Sequence, residues 1–133
     1  MDALSSLVYF LPELVILGGA FVCFILDCIL KKKKWLPFVA LGVLLISGAF
    51  TVFPEKPMEL FFGFFHLDAF TVFLRLFIVG TVAITILLSI HYAPLNNENE
   101  GEYYSLLLLI AFALNVLAGA VNLLMIFMAV EFV

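Results

Sequence analysis

The sequence predicts an all-α polytopic membrane protein with four complete transmembrane helices, a truncated fifth and the N-terminus outside. Three observations predict it. Of 133 residues, 66% are hydrophobic and only 12% are charged, where an ordinary soluble domain carries roughly 25% charged residues. Four apolar stretches each come close to the ~20 residues that cross a ~30 Å hydrocarbon core. The polar residues gather in short turns between those stretches. Bilayer is the solvent in which this composition is unproblematic, because helices satisfy their own backbone groups there. Residues 1–133 read as a single membrane segment.

The first span covers residues 6–30. Pro12-Glu13 fits the start of its helical run, where Pro forfeits no hydrogen bond and a carboxylate meets the positive end of the helix dipole. Asp27 precedes Lys31 by four residues, the favourable acid-first order on a helix. Residues 1–30 are not a cleavable signal peptide, since the positive charges follow the apolar run instead of preceding it. The second span, 35–53, opens on Trp35 as an interfacial anchor and ends at Pro54 and Pro57. The third covers 68–92 and is closed by the polar, acidic turn 94–102. The fourth covers 103–120. A tight turn at Val121-Asn122 then opens the fifth span, 122–133, a single bent helix being the competing arrangement. Those last residues cover only about 18 Å and cannot cross a bilayer. The chain therefore reads as the front piece of a longer membrane protein.

Orientation follows from the lysines. Lys31, Lys32, Lys33 and Lys34 fill one short turn, against Lys56 alone in the next and none in the third. Basic residues accumulate on the cytoplasmic side, and acidic ones weigh little. The N-terminus and the 54–67 turn are then outside, and the 94–102 turn is inside.

Composition also excludes functions. The six basic residues form no stripe with stacking aromatics, so nucleic acid is not an expected partner. Cys23 and Cys28 lie five residues apart, about 140° around a helix, which suits neither a disulfide nor a metal clasp. The phenylalanines at 61, 62, 64, 65, 70, 73 and 77 read as lipid-facing or packing material. There is no Gly-rich phosphate loop, no His/Cys metal spacing and no nucleophile set. No redox centre and no cofactor site is expected in this chain.

The candidate functional residues are the ionisable groups inside the spans. Glu131 lies nine residues beyond Asn122, about 13 Å deep at helical rise, in an otherwise apolar run. A carboxylate at that depth costs on the order of 2–3 kcal/mol or more. Burial penalises its charged form, and a nearby cation favours it. A group balanced between those effects can load and release a proton; the plainer reading is a carboxyl that joins helices by hydrogen bonding. Arg75 is the one basic residue within a span. It sits about 10 Å from the outer edge, shallow enough to extend outward along its stem. Asp68, seven residues earlier, and Glu13 are its candidate partners in an ion pair or ion pathway. Asp27, near the cytoplasmic edge, stands where a proton entry residue is expected. Span four presents Ala111, Asn115, Ala118 and Gly119, a small and polar face for close helix packing. His66 and His91 fall near opposite membrane edges as anchors.

Several motifs together carry a resemblance. Leu11-Pro12-Glu13-Leu14, the Asp27 that closes span one, His66-Leu67-Asp68-Ala69-Phe70 and Glu102-Tyr103-Tyr104-Ser105-Leu106-Leu107 resemble the antiporter-like N subunit of proton-pumping NADH:quinone oxidoreductase, respiratory complex I. The run from Asn122 through Phe127 to Glu131 is similar to that family's fifth-helix motif. The resemblance implies that Glu131 is the fifth-helix glutamate of a proton path, modulated by a lysine on a seventh helix. It implies a longer chain with both ends outside, in the cell inner (cytoplasmic) membrane. Partners would be other membrane subunits, including adjacent antiporter-like ones, with NAD, flavin, iron-sulfur clusters and quinone held in partner subunits. Members often carry Asn-Asp where this chain has Val121-Asn122, which leaves any role of that aspartate unfilled. Subunits of multisubunit cation/proton antiporters share the glutamate and remain an alternative, as does a membrane scaffold that transports nothing.

Overall fold

The computed structural model describes residues 4, 7–8, 10–29, 35–52, 58–60, 65–90 and 100–133. The lysine run 31–34, His91 and the turn residues 54–57, 61–64 and 94–99 lie outside the described residues. The longer helices are α1 (Leu11–Ile29), α2 (Leu36–Thr51), α3 (Ala69–Ser89), α4 (Glu100–Gly119) and α5 (Leu123–Phe132). Three of them, α1, α3 and α4, are long and apolar enough to cross a membrane; α2 and α5 are apolar but shorter.

Local chemistry explains where the helices begin. Pro37 stands in the first turn of α2, where its missing N–H breaks no intrahelical bond. Asp68 is extended, φ −123° and ψ 177°, and its carboxylate accepts the Thr71 N–H at 2.8 Å, capping α3. Asn122 does the same for α5, with φ −88° and ψ 141° and its side-chain oxygen accepting the Leu124 N–H at 3.0 Å. Two helices with a capped start replace the bent-helix alternative at 121–122. Helix α4 starts at Glu100, three residues before the expected Tyr103. Acidic residues at a helix start interact favourably with its dipole, so the end of the acidic turn winds into the helix.

One element leaves no clear signal in the chain. The turn expected at 54–67 contains an antiparallel pair, β1 (Met58–Leu60) and β2 (Phe65–Leu67), in the register Met58↔Leu67, Glu59↔His66 and Leu60↔Phe65. Two strands this short are only marginally stable alone. Here β2 lies against α3 and α4.

Helices α1 to α4 form an antiparallel ring in which α1 packs on α2 and α4, and α3 packs on α2 and α4. Polar contacts fix the register. Ser47 near the end of α2 donates to the Pro12 carbonyl near the start of α1 at 3.0 Å. Ser105 near the start of α4 donates to the Ala20 carbonyl of α1 at 3.0 Å. The Ser89 hydroxyl, at the end of α3, and the Tyr103 hydroxyl are 2.8 Å apart. Between these lie Ile16, Cys23, Leu44, Val82, Ile86, Leu108 and Ala111, all buried. Lipid tails are as apolar as leucine, so close packing and hydrogen bonds of this kind, not water exclusion, hold such helices together.

Two glycines set how near the helices come. A Cβ on Gly19 would overlap Val43 of α2, and one on Gly101 would overlap the Cβ and Cγ of Asp27. Helix α5 packs on α4 and buries Ala129, while Leu123, Leu124, Phe127 and Val130 are exposed. Phe70, Phe73 and Phe77 are exposed on α3, as lipid-facing residues should be.

Candidate functional site

The ionisable residues inside the helices divide into three places. At one end of the bundle, Glu13 sits in the first turn of α1 and Arg75 in the second turn of α3. Their side chains form an ion pair, Arg75 Nη2 to Glu13 Oε1, with exposures of only 1% and 0%. The expectation that Arg75 extends outward along its stem is therefore corrected: the guanidinium turns into the bundle. Its acidic neighbour in sequence, Asp68, caps α3 by accepting the Thr71 N–H, and Arg75 reaches Glu13, which enters the core from α1.

That pair spans a diagonal. Helices α1 and α3 are not packed neighbours; α2 and α4 stand between them. An ion pair reaching across the ring ties together two helices that otherwise share little contact. Around it the end of the bundle is polar. Ser47 and Thr51 of α2 and Thr71 of α3 are all buried, and Thr51 donates back to the Ser47 carbonyl at 2.8 Å.

Asn115 of α4 is fully buried, and neither its amide nitrogen nor its amide oxygen has a hydrogen-bond partner among the described residues. The α1–α4 register, set by Asp27 beside Gly101 and Ser105 beside Ala20, brings Asn115 level with the first turn of α1, where Glu13 lies. The sequence marked Asn115 only as a packing residue. Its depth and its level relative to Glu13 depend on how α1 and α4 pair, which periodicity does not report.

At the opposite end, Asp27 is half-buried against Gly101. Its neighbour Cys28 is exposed, Cys23 is buried, and both thiols are free.

Glu131 occupies the third place. It lies on the last turn of α5 and is exposed. Among the described residues its side chain makes no ion pair or hydrogen bond. Helix α5 leans on α4 along one side only, and an apolar groove of about 260 Å³ lined by Phe112, Val116, Met125, Met128 and Phe132 runs between them. Among the described residues, no group of three or more His, Cys, Asp or Glu side chains gathers as metal ligands would.

Comparison with known proteins gives the chain its relatives. It is 28% identical over 137 aligned residues, 99% of its own length, to NADH-quinone oxidoreductase subunit N of Anaeromyxobacter sp. (strain Fw109-5). It is 32% identical, over 91% of its length, to subunit N 1 of Aquifex aeolicus (strain VF5). With subunit N 1 of Koribacter versatilis (strain Ellin345) the identity is 33%, again over 91%. The chain spans about a quarter of the length of these curated relatives, 26% in each case. No family model matches it, and no solved structure matches. Across nearly all of its residues, the chain is a homologue of subunit N of the NADH-quinone oxidoreductases.

Proposed function

We propose that this chain forms part of a membrane subunit of a proton-translocating NADH:quinone oxidoreductase, in which Glu131 is a proton-carrying residue. The observation that carries this reading is the similarity to subunit N along at least nine-tenths of the chain in these three relatives. The position of Glu131 on an apolar helix supplies the chemistry, because an intramembrane carboxylate marks an ion or proton path unless something else explains it. Asp27, half-buried at the end of α1, is the entry residue of the same reading. The chain carries no redox site. NAD, flavin, iron-sulfur clusters and quinone belong to partner subunits, and electron transfer there changes the proton affinity of Glu131.

The topology belongs to the same proposal. Helices α1 to α4 each cross the inner (cytoplasmic) membrane, α2 with the help of flanking residues. The N-terminus and the β1–β2 hairpin face outward, and the lysine turn faces the cytoplasm. The exposed face of α5 is covered by protein that packs upon it, such as another membrane subunit of the complex, and that cover supplies the environment Glu131 needs.

The test is Glu131→Gln in the assembled enzyme, with NADH oxidation and dye-reported proton uptake followed together in inverted membrane vesicles. Oxidation should persist while uptake is largely lost. Unaltered uptake in a fully assembled complex removes the role. A scaffold without transport is the second reading, and the exposure of Glu131 favours it; it requires that unaltered outcome. A cation/proton antiporter subunit is separated by whether genes for redox subunits adjoin this one.

A further inference from the structure

We infer that Glu13, held by Arg75 and on a level with Asn115, is a second proton-holding site, in the outer half of the bundle and separate from Glu131. The inference rests on the proton-translocation reading above.

Three observations carry it. Both charged groups are buried within this chain, with 0% and 1% exposure, so their setting does not depend on a further partner. The pair is also poorly explained as a source of stability. Withdrawing two charges from water costs more than their attraction commonly returns, and apolar replacements of similar volume are often neutral or stabilising. A bundle that needed only adhesion between α1 and α3 has cheaper means, as the Ser47 and Ser105 hydrogen bonds show. Finally, Asn115 is completely buried and its amide has no hydrogen-bond partner among the described residues. Buried polar groups are nearly always satisfied, and an exception calls for an explanation, a proton-handling role being one.

The chemistry of the three side chains is complementary. A guanidinium only donates and stays charged, so it stabilises the carboxylate. An amide both donates and accepts, so it serves the carboxylate and the carboxylic acid alike. When Glu13 takes up one proton, the pair passes from net zero to net +1 and the Arg75 contact weakens. The acid O–H then needs an acceptor, and the Asn115 amide on the same level is a buried group with free hydrogen-bonding capacity among the described residues. Loss of the proton restores the ion pair. No bond other than O–H forms or breaks.

The experiment compares Glu13→Gln, the double variant Glu13→Gln with Arg75→Gln, and Glu131→Gln in the assembled enzyme, reading NADH oxidation and proton uptake in inverted vesicles. Glu13→Gln should keep NADH oxidation and lose most proton uptake, and the double variant should not recover it. Where Glu13→Gln alone fails to assemble, because it leaves a buried cation, the double variant settles the question. Uptake at the wild-type level in the double variant overturns the proposal and makes the pair a fastener only. Were the double variant also to fail assembly, the exchange of both residues, Glu13→Arg with Arg75→Glu, decides it by the same readout. Should Glu131→Gln leave uptake untouched, the proton-path reading itself fails; should it abolish uptake while the Glu13 variants pump normally, this inference alone fails.

Discussion

At the scale of single residues, the structure turns on where charge is compensated. Glu13 and Arg75 compensate each other, so removing one leaves the other's buried charge without that counter-charge. Glu13→Ala is expected to destabilise the folded bundle by about 3–5 kcal/mol, the usual cost of orphaning a buried charge. Glu13→Leu combined with Arg75→Met should recover most of that loss, as read by thermal unfolding of detergent-solubilised protein. For Asn115→Leu the expectation is the opposite. It replaces an unsatisfied amide with an apolar side chain of similar size, so unfolding should be unchanged or slightly later. A loss of stability there would mean that the amide has a structural partner after all.

Residue by residue, the sequence was informative where the interaction is local. Asp68 and Asn122 cap helices because their side chains reach amides three and two residues ahead; the sequence placed both at span starts but offered Asp68 as a candidate partner of Arg75 and Asn122 as part of a turn. Glu13 and Arg75 are 62 positions apart, on helices that do not pack side by side. Hydropathy placed Arg75 at a depth but could not give its direction. Only the ring arrangement of α1 to α4 decides between outward extension and inward pairing.

At the scale of elements, close approach and capping set the geometry. Gly101→Ala drives a methyl group into the Asp27 side chain near its backbone. Neither helix can yield without repacking, so a loss of about 1–3 kcal/mol is expected, measurable as a lower unfolding temperature and reduced assembly. Asn122→Ala removes the cap of α5 and should cost about 1 kcal/mol. Its clearest sign is faster hydrogen exchange at the Leu124 amide, with α1 to α4 unaffected. The elements themselves were largely readable from apolar runs and breakers. The β1–β2 pair was not, because two three-residue strands leave no periodicity in a segment rich in Phe and Pro.

At the scale of the whole molecule, the bundle has one completed end and one open flank. The completed end gathers Glu13, Ser47, Thr51, Thr71 and Arg75 out of contact with solvent. The open flank is α5, with its carboxylate uncovered. The proposed orientation makes a direct prediction: a cysteine introduced at Lys33 should react with an impermeant maleimide from the cytoplasmic side only. Cys23, enclosed between α1 and its neighbours, should resist the reagent until the protein unfolds, whereas Cys28 should be open to a membrane-permeant one. Labelling of Cys23 in the native state would contradict the packing of α1.

Helix α4 touches every other long helix in the described chain: α1, α2, α3 and α5. It bears Gly101 at one end, Asn115 towards the other, and runs through the short turn into the helix of Glu131. Any twist or slide of this one rod is therefore felt simultaneously at the Asp27 contact, at the level of the Glu13 pair and at the far carboxylate, so three acidic groups share a common mechanical axis.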